Sequence, residues 1–351
     1  MASASAVPPP PAPGAVSGWD ALSPEQQKQL SFSRHFLEQI QKTGKRPNGR
    51  LPSQFTSVAL STGTFPSPGV YGSSIVSIGG TSAICCVMGS VVRAPLDEPA
   101  TKGALDAEVQ LHPIACAQFQ GEMGSEAKAV GAFLVRQFSR ALRCEELVVC
   151  EGRAAWHLTL SCMAIAHDGS LHEALVLACL AALSTLSLPE VTATRAAGIY
   201  ALTRGSEWTL TYSKELRPRG NLLRHYPLAL SVAHIQSHFL MEPTADEEEM
   251  VSGTGGGAGP GAATGGLLTL LIEGPTGALI GLEKAPGAPL ALPAVLNPGS
   301  PAGAALLAPA ATRAVALWRL VVEQMAPQQQ ARFATPPAPA PAAAPVAPTP
   351  P

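Results

Sequence analysis

Five carboxylates, Glu242, Asp246, Glu247, Glu248 and Glu249, fall within one short segment that begins Glu242-Pro243-Thr244. Like charges packed together raise the pKa of one member, and a carboxyl held near neutrality can serve as a general acid. An acid needs something to act on, and the segment has no phosphate cradle beside it. Ser252 to Gly266 is rich in glycine and alanine but lacks the lysine of a phosphate-binding loop, so 252–266 reads as a flexible insertion. The acidic segment itself then reads as a solvated turn.

Other candidates are weaker. His167 and His172 bracket a turn, but no His-Glu-x-x-His or comparable spacing accompanies them, and a zinc site needs three or four converging ligands. Ser170 and His172 could be imagined as nucleophile and base, yet no Gly-x-Ser-x-Gly elbow surrounds Ser170. Lys214, Arg217, Arg219, Arg224 and His225 form the densest basic run. As chemistry it would line an RNA path or meet an acidic neighbour; as structure it reads as an exposed loop between the two halves of the chain. No residue is assigned here as catalytic, cofactor-binding or metal-ligating, and no cofactor is implied.

The elements around these residues are legible from periodicity. Trp156 to Ala166 alternates, with Trp156, Leu158, Leu160, Cys162 and Ala164 on one parity, the pattern of a strand. His167-Asp168-Gly169-Ser170 is turn chemistry. From Leu171 the apolar residues take helical spacing, and Val176, Leu177 and Leu180 fill the remaining faces, so the helix is expected to be buried nearly all round against a sheet.

This strand-turn-helix resembles the RNase PH family, in which the turn reads roughly Asp-Gly-Gly-Ser/Thr-Arg-x-Ala. In active members the Ser/Thr-Arg pair holds the attacking phosphate at the helix N-terminus, as the resemblance implies. Here Leu171 and His172 stand in those places. Leucine donates nothing, and a neutral imidazole lacks the permanent fork of a guanidinium. An arginine-rich segment that grips RNA in active members is replaced by Gln120-Gly121-Glu122-Met123-Gly124-Ser125-Glu126. Lys45-Arg46-Pro47-Asn48-Gly49-Arg50 resembles the family's opening signature, and Ser73 to Cys85 its first hairpin with the bend at Gly79-Gly80. Cys144 to Gly152 and Leu188-Pro189-Glu190-Val191, the latter expected to end the buried helix, resemble the RNase PH-like ring subunits of the eukaryotic RNA exosome. The resemblance covers roughly residues 32 to 326.

It implies an α/β (α+β) chain of RNase PH fold, a ribosomal protein S5 domain 2-like βαβα core followed by a smaller sheet-and-helix half. It also implies a non-catalytic ring subunit that supports 3′-to-5′ RNA processing. The partners would be other RNase PH-like ring subunits, RNA-binding cap subunits and single-stranded RNA in the assembled channel, in nucleus, nucleolus and cytoplasm. The rival is an active phosphorolytic 3′ exoribonuclease with Glu242 and Glu248 as acids and His172 as a substitute anion holder.

The remaining organisation follows in order. Residues 1–16 and 331–351 are Ala/Pro-rich tails expected to be disordered. Ser23, Pro24 and Gln26 form a capping box opening a docking helix over 23–44, with Phe32, Phe36, Leu37 and Ile40 as its stripe. The first half runs over 45–200, with strands at 55–60, 70–78, 82–92 and 105–111 and a helix from a Ser125 cap to about Leu142. The second half, 201–330, holds a strand with Leu228, Leu230 and Val232, a hairpin at 267–272 and 278–282, and a last helix over 312–325.

Composition narrows the classes further. The 351 residues carry a net charge of −2, with 46% hydrophobic and 5% aromatic residues. No electrostatic footprint for independent RNA binding is visible. The longest wholly apolar run, Ala174 to Leu183, is about half of the roughly 20 residues that span a bilayer. A signal-peptide pattern is lacking, which leads to the expectation of an intracellular protein without a membrane partner. The cysteines at 85, 86, 116, 144, 150, 162 and 179 include no CxxC pair and read as reduced thiols.

Overall fold

The computed structural model describes residues 22–25, 32–93, 101–117, 119, 124–195, 208–219, 222–235, 238–252, 265–285, 289–290 and 295–325. Both tails, Gln26 of the capping box, Gln120 to Met123 and most of the Gly/Ala insertion lie outside the described residues.

A first sheet is built from β1 (Val58–Thr62), β2 (Val70–Ile78), β3 (Thr81–Arg93), β4 (Ala104–Leu111), β5 (Val148–Cys150) and β6 (Ala154–Ala166). Its order is β1-β2-β3-β6-β4, with β5 also on β6. All pairs are antiparallel except β4 with β6, which run parallel because α2 (Ser125–Ala141) carries the chain across between them. α2 lays Val130, Phe133, Leu134, Phe138 and Ala141 into the core. Its N-cap is Gly124, with no side-chain cap; Ser125 is the first helical residue rather than the cap expected of it.

A second sheet, order β10-β9-β11-β12, is formed by β9 (Pro227–Ile235), β10 (His238–Met241), β11 (Gly265–Glu273) and β12 (Leu279–Lys284). The alternation at Leu228, Leu230 and Val232 understates β9, which is buried on both faces. One face meets α3 (Leu171–Ser184), and near its far end the stripe of α1 (Phe32–Thr43) docks, Phe36 and Ile40 packing with Ala233, Ile235 and Leu240.

α3 is therefore clamped between two sheets, touching β2 and β3 on one side and β9 on the other. That explains its all-round burial: every residue but His172 is buried. Close approach has a specific requirement at Gly72, where a Cβ would collide with the Ala182 carbonyl oxygen. Ser74 reinforces the contact, its hydroxyl donating to the Ala178 carbonyl at 2.7 Å. Truncating one of the fully buried leucines, such as Leu180→Ala, costs about 2–5 kcal/mol at such a site.

Three expectations are corrected. Leu188-Pro189-Glu190-Val191 does not end a helix; α3 stops at Ser184, and these residues lie in β7 (Ser187–Arg195), paired only with β8 (Trp208–Pro218). Proline lacks the N–H of a helix interior but is tolerated in such a ribbon, and the register shifts between Pro189 and Val191. The basic run is only in part a loop: Lys214 and Arg217 sit on exposed β8, while Arg219, Arg224 and His225 follow it in the connection to β9, with Arg224 paired to Glu145 and His225 to Glu273. The last helix, α5 (Pro301–Gln324), starts eleven residues before Thr312, because Ser300 accepts the Gly303 N–H and Pro301 occupies the first turn. By length and composition α5 is apolar enough to cross a membrane. Its Leu306, Ala310, Ala314, Leu317 and Val321 are instead buried in the core, and its Arg313 reaches a buried carboxylate.

Candidate functional site at the mouth of the buried helix

The turn before α3 is held from three directions. Thr81 on β3 accepts the Asp168 N–H at 2.8 Å and donates its hydroxyl to the Gly169 carbonyl at 2.6 Å. Gly169 has φ +86°, and a Cβ there would collide with the Pro243 carbonyl oxygen. Ser170, the N-cap, is itself left-handed at φ 53°, a conformation that costs a non-glycine residue roughly 1–2 kcal/mol. Its hydroxyl donates to the Pro243 carbonyl at 3.1 Å. The turn thus leans on the segment that follows β10.

That contact decides what the helix mouth can bind. The Ser170 N–H donates to Glu248 Oε1 at 2.7 Å. Exposed N–H groups and the positive end of the helix dipole favour an anion at this position. The group that takes this N–H is a carboxyl side chain of the protein itself, carried by α4 (Ala245–Ser252).

The cleft beyond it measures about 420 Å³ and is lined by Glu126, His167, Leu171, His172, Glu248 and Glu249, among others. No lysine or arginine lines it among the described residues. Burial raises the Glu248 carboxyl to about 7, against the lowering effect of the Ser170 N–H, and Asp168, Glu126 and Glu247 push it in the same upward direction. Burial also lifts Glu126 and lowers both His167 and His172. His172 packs edge-on against Phe133, centroids 4.9 Å apart. A histidine kept neutral by its surroundings supplies no fixed positive charge to the cleft. A dianion entering this cleft would meet carboxylates and no fixed cation.

The acidic segment is not a solvated turn. Glu242 and Glu247 are 3% and 2% exposed, and 245–252 is a helix. Glu242 Oε1 takes the Arg313 guanidinium at 2.6 Å, while Oε2 accepts the Thr56 N–H at 2.5 Å and the Thr56 hydroxyl. Glu247 Oε2 accepts from Arg46 at 3.3 Å and from the Thr244 N–H at 3.0 Å. Arg46 is wholly buried; its Nη2 also donates to the Pro52 and Met241 carbonyls at 2.5 and 2.6 Å. Burial lowers its pKa to about 10, opposed chiefly by Glu247, and leaves it charged at neutral pH. Glu173, one turn inside α3, accepts the Ser231 N–H at 3.1 Å, and burial together with Glu242 raises its pKa well above the usual carboxylate range. That environment favours the protonated form of Glu173.

These contacts separate the residues that the sequence had grouped. Glu242 and Glu247 are structural, tying the turn after α1 and helix α5 to the end of β10. Only Glu248 and Glu249 face the cleft. Arg46 is the residue that local reading missed: Asn48-Gly49 marked a generic turn, and nothing within that turn signalled a partner 201 positions away. Gln120 to Met123, where the two expected acidic departures begin, fall outside the described residues; Glu126 is exposed at the cleft.

Residues 54–189 match the 3′ exoribonuclease family, domain 1 (RNase PH). They span β1 through the start of β7, and so include the α3 mouth but not Glu248. Beyond the domain match, the chain is 28% identical over 225 residues to exosome complex component RRP45 of Danio rerio, covering 62% of this chain and 52% of that protein. It is 26% identical over 230 residues to rrp45 of Schizosaccharomyces pombe, covering 64% and 73%. To Rrp42 of Thermococcus gammatolerans it is 26% identical over 213 residues, covering 60% and 72%. The chain spans about half the length of the vertebrate relatives. In fold, it resembles the Archaeoglobus fulgidus exosome with RNA bound to the active site, at TM-score 0.60 and 20% identity over 82% of this chain and 96% of that one. An archaeal exosome core aligns at TM-score 0.57 and 18% identity over 85% and 99%. The RNase PH fold thus extends from the domain into the second sheet.

Proposed function

We propose that this chain is a non-catalytic subunit of an exosome-type ring supporting 3′-to-5′ RNA processing and decay. The observation that carries this reading is the Glu248 carboxylate on the Ser170 N–H, in the place where a phosphorolytic enzyme needs a free anion site. With Leu171 and His172 at the two cradle positions, the mouth of α3 repels the nucleophile that phosphorolysis requires. The rival set of Glu242, Glu248 and His172 is disfavoured residue by residue: Glu242 is committed to Arg313 and Thr56, and His172 is neutral.

On this reading the chain's work is surface and shape. Its partners are other RNase PH-like ring subunits and RNA-binding caps, with single-stranded RNA passing the assembled channel, in nucleus, nucleolus and cytoplasm. Exposed apolar residues on strands at sheet edges, Leu216 on β8 and Ile280 on β12, 55% and 52% exposed, suit burial against neighbours. Permanent interfaces of this kind bury on the order of 2,000 Å² or more. We read 45–200 and 201–330 as the two halves of one compact unit, supported by an apolar cluster that runs from Val76 to Met325.

A finer assignment, to the ribosomal RNA processing protein 43 type of subunit, rests on Arg46 to Arg50, Cys144 to Gly152, the Trp156 strand and Leu188 to Val191. Affinity purification of the tagged chain from its own cells tests both levels. Recovery in a stoichiometric ring with RNase PH-like chains and caps is expected, with a separate RRP45-type subunit present in the same ring. Recovery of a lone, stable monomer contradicts the proposal; absence of any other RRP45-type chain contradicts the finer assignment.

A further inference from the structure

Cys85, Cys162 and Cys179 are remote in sequence and lie on three elements, β3, β6 and α3. The fold brings their sulfurs together: all three lie within 4.8 Å of one another, and the Cys162 and Cys179 sulfurs are 3.4 Å apart. All three are free thiols, at most 1% exposed. The helix–sheet contact that buries α3 is the same contact that closes this triangle.

The surroundings restrict what the triangle can take. Ala83, Val87, Leu160, Ala164, Leu175 and Ala178 are buried about these elements, and no charged side chain acts on any of the three thiols. Hydrogen bonding to Cys162 and Cys179 pushes the Cys85 thiol up and burial pushes the Cys179 thiol up, while the same hydrogen bonds lower Cys162 to about 5, so the triangle can hold at most one ionised sulfur. A zinc ion would need a fourth donor and would leave a net negative charge on three thiolates. A cuprous ion would leave a larger one. An uncompensated charge in such a core costs several kcal/mol or more. A ligand that binds three sulfurs and remains neutral avoids that cost.

We propose that Cys85, Cys162 and Cys179 form a buried three-thiol site for trivalent arsenic or antimony, taken up as the neutral hydroxide. In the reaction, As(OH)3 and three thiols give As(SR)3 and three waters. Three As–O and three S–H bonds break, three As–S and three O–H bonds form, and neither arsenic nor sulfur changes oxidation state. The product is an uncharged pyramid on three sulfurs, which matches both the triangular placement and the absence of a counter-ion. Because the sulfurs are closed to solvent, ligation proceeds through local opening or during folding, and the product staples β3, β6 and α3.

The test uses the full chain with Cys86, Cys116, Cys144 and Cys150, the four part-exposed thiols, changed to serine. It is exposed to arsenous acid in the native state and through a cycle of unfolding and refolding, then examined by intact mass and by alkylation under denaturing conditions. The expected result after refolding is one arsenic in place of three hydrogens, with all three thiols protected. Adding Cys162→Ser abolishes that three-sulfur adduct. No adduct, or a two-sulfur adduct that leaves one thiol open to alkylation, overturns the proposal, as does an adduct unaffected by Cys162→Ser. Should the fourfold variant fail to refold, the wild-type chain with its outer thiols alkylated in the native state is held to the same result.

Discussion

Glu248 and Ser170, 78 positions apart, meet as carboxyl and backbone N–H at 2.7 Å, which fills the mouth of α3 with a side chain of the protein itself. A group tethered to the protein competes for that N–H at very high effective concentration with any phosphate from solution.

The first prediction concerns phosphate. Leu171→Ser with His172→Arg restores the side chains that the family resemblance places there, yet Glu248 still occupies the mouth. Phosphate binding, followed by 31P NMR, is expected to stay undetectable in that double variant and to appear when Glu248→Gln is added. Binding in the double variant alone contradicts the role given to Glu248.

The second concerns pH. Glu248 titrates near 7 when folded and near the usual carboxylate value when unfolded, so the folded state holds the extra proton between those values. Stability contributed by this group is fully present below the unfolded pKa and is lost as pH rises through 7. Urea titrations should show Glu248→Gln gaining on the wild type by about 2 kcal/mol between pH 5 and pH 8, after allowance for partial exposure. Glu173 has the same sign, and the difference between variant and wild type removes its share.

The third separates two buried carboxyls. Glu173→Gln is close to isosteric with the neutral acid: its amide oxygen accepts the Ser231 N–H and its amide nitrogen can donate to Glu242. A loss under about 1 kcal/mol is expected at pH 7. Arg46→Ala, by contrast, strands Glu247 and several backbone carbonyls, and a loss of about 3–5 kcal/mol follows. Arg46→Lys is expected to recover little, since one ammonium cannot serve acceptors spread across a fork. Equal losses for Glu173→Gln and Arg46→Ala in chemical denaturation would contradict this division.

The fourth is conformational. Gly169→Ala combines φ +86° with a collision at Pro243, so the turn and the segment after β10 must separate. The variant is expected to lose several kcal/mol of stability and its amide exchange protection at Ser170. Unchanged protection there would mean the two segments are not coupled.

Most of the first sheet was legible because its signals are local. Alternation marked β6, the glycine pair placed the β2–β3 bend, and helical spacing together with an apolar far side announced a helix buried on every face. What escaped reading was set by distant partners. Glu242 and Glu247 look solvated beside three further acids, and only Arg313 and Arg46, brought from opposite ends of the chain, make their burial possible. Pro189 looked like a helix terminator, but a ribbon strand also tolerates it. The start of α5 was hidden in proline and glycine that here cap the helix. Cys85, Cys162 and Cys179 could not be grouped before the β3–β6 register and the seat of α3 were known.

Nucleoside diphosphate release from single-stranded RNA, measured with purified chain and inorganic phosphate, tests the central claim most directly. None above the no-enzyme control is expected, with or without phosphate. Phosphate-dependent release that disappears in His172→Ala would contradict it.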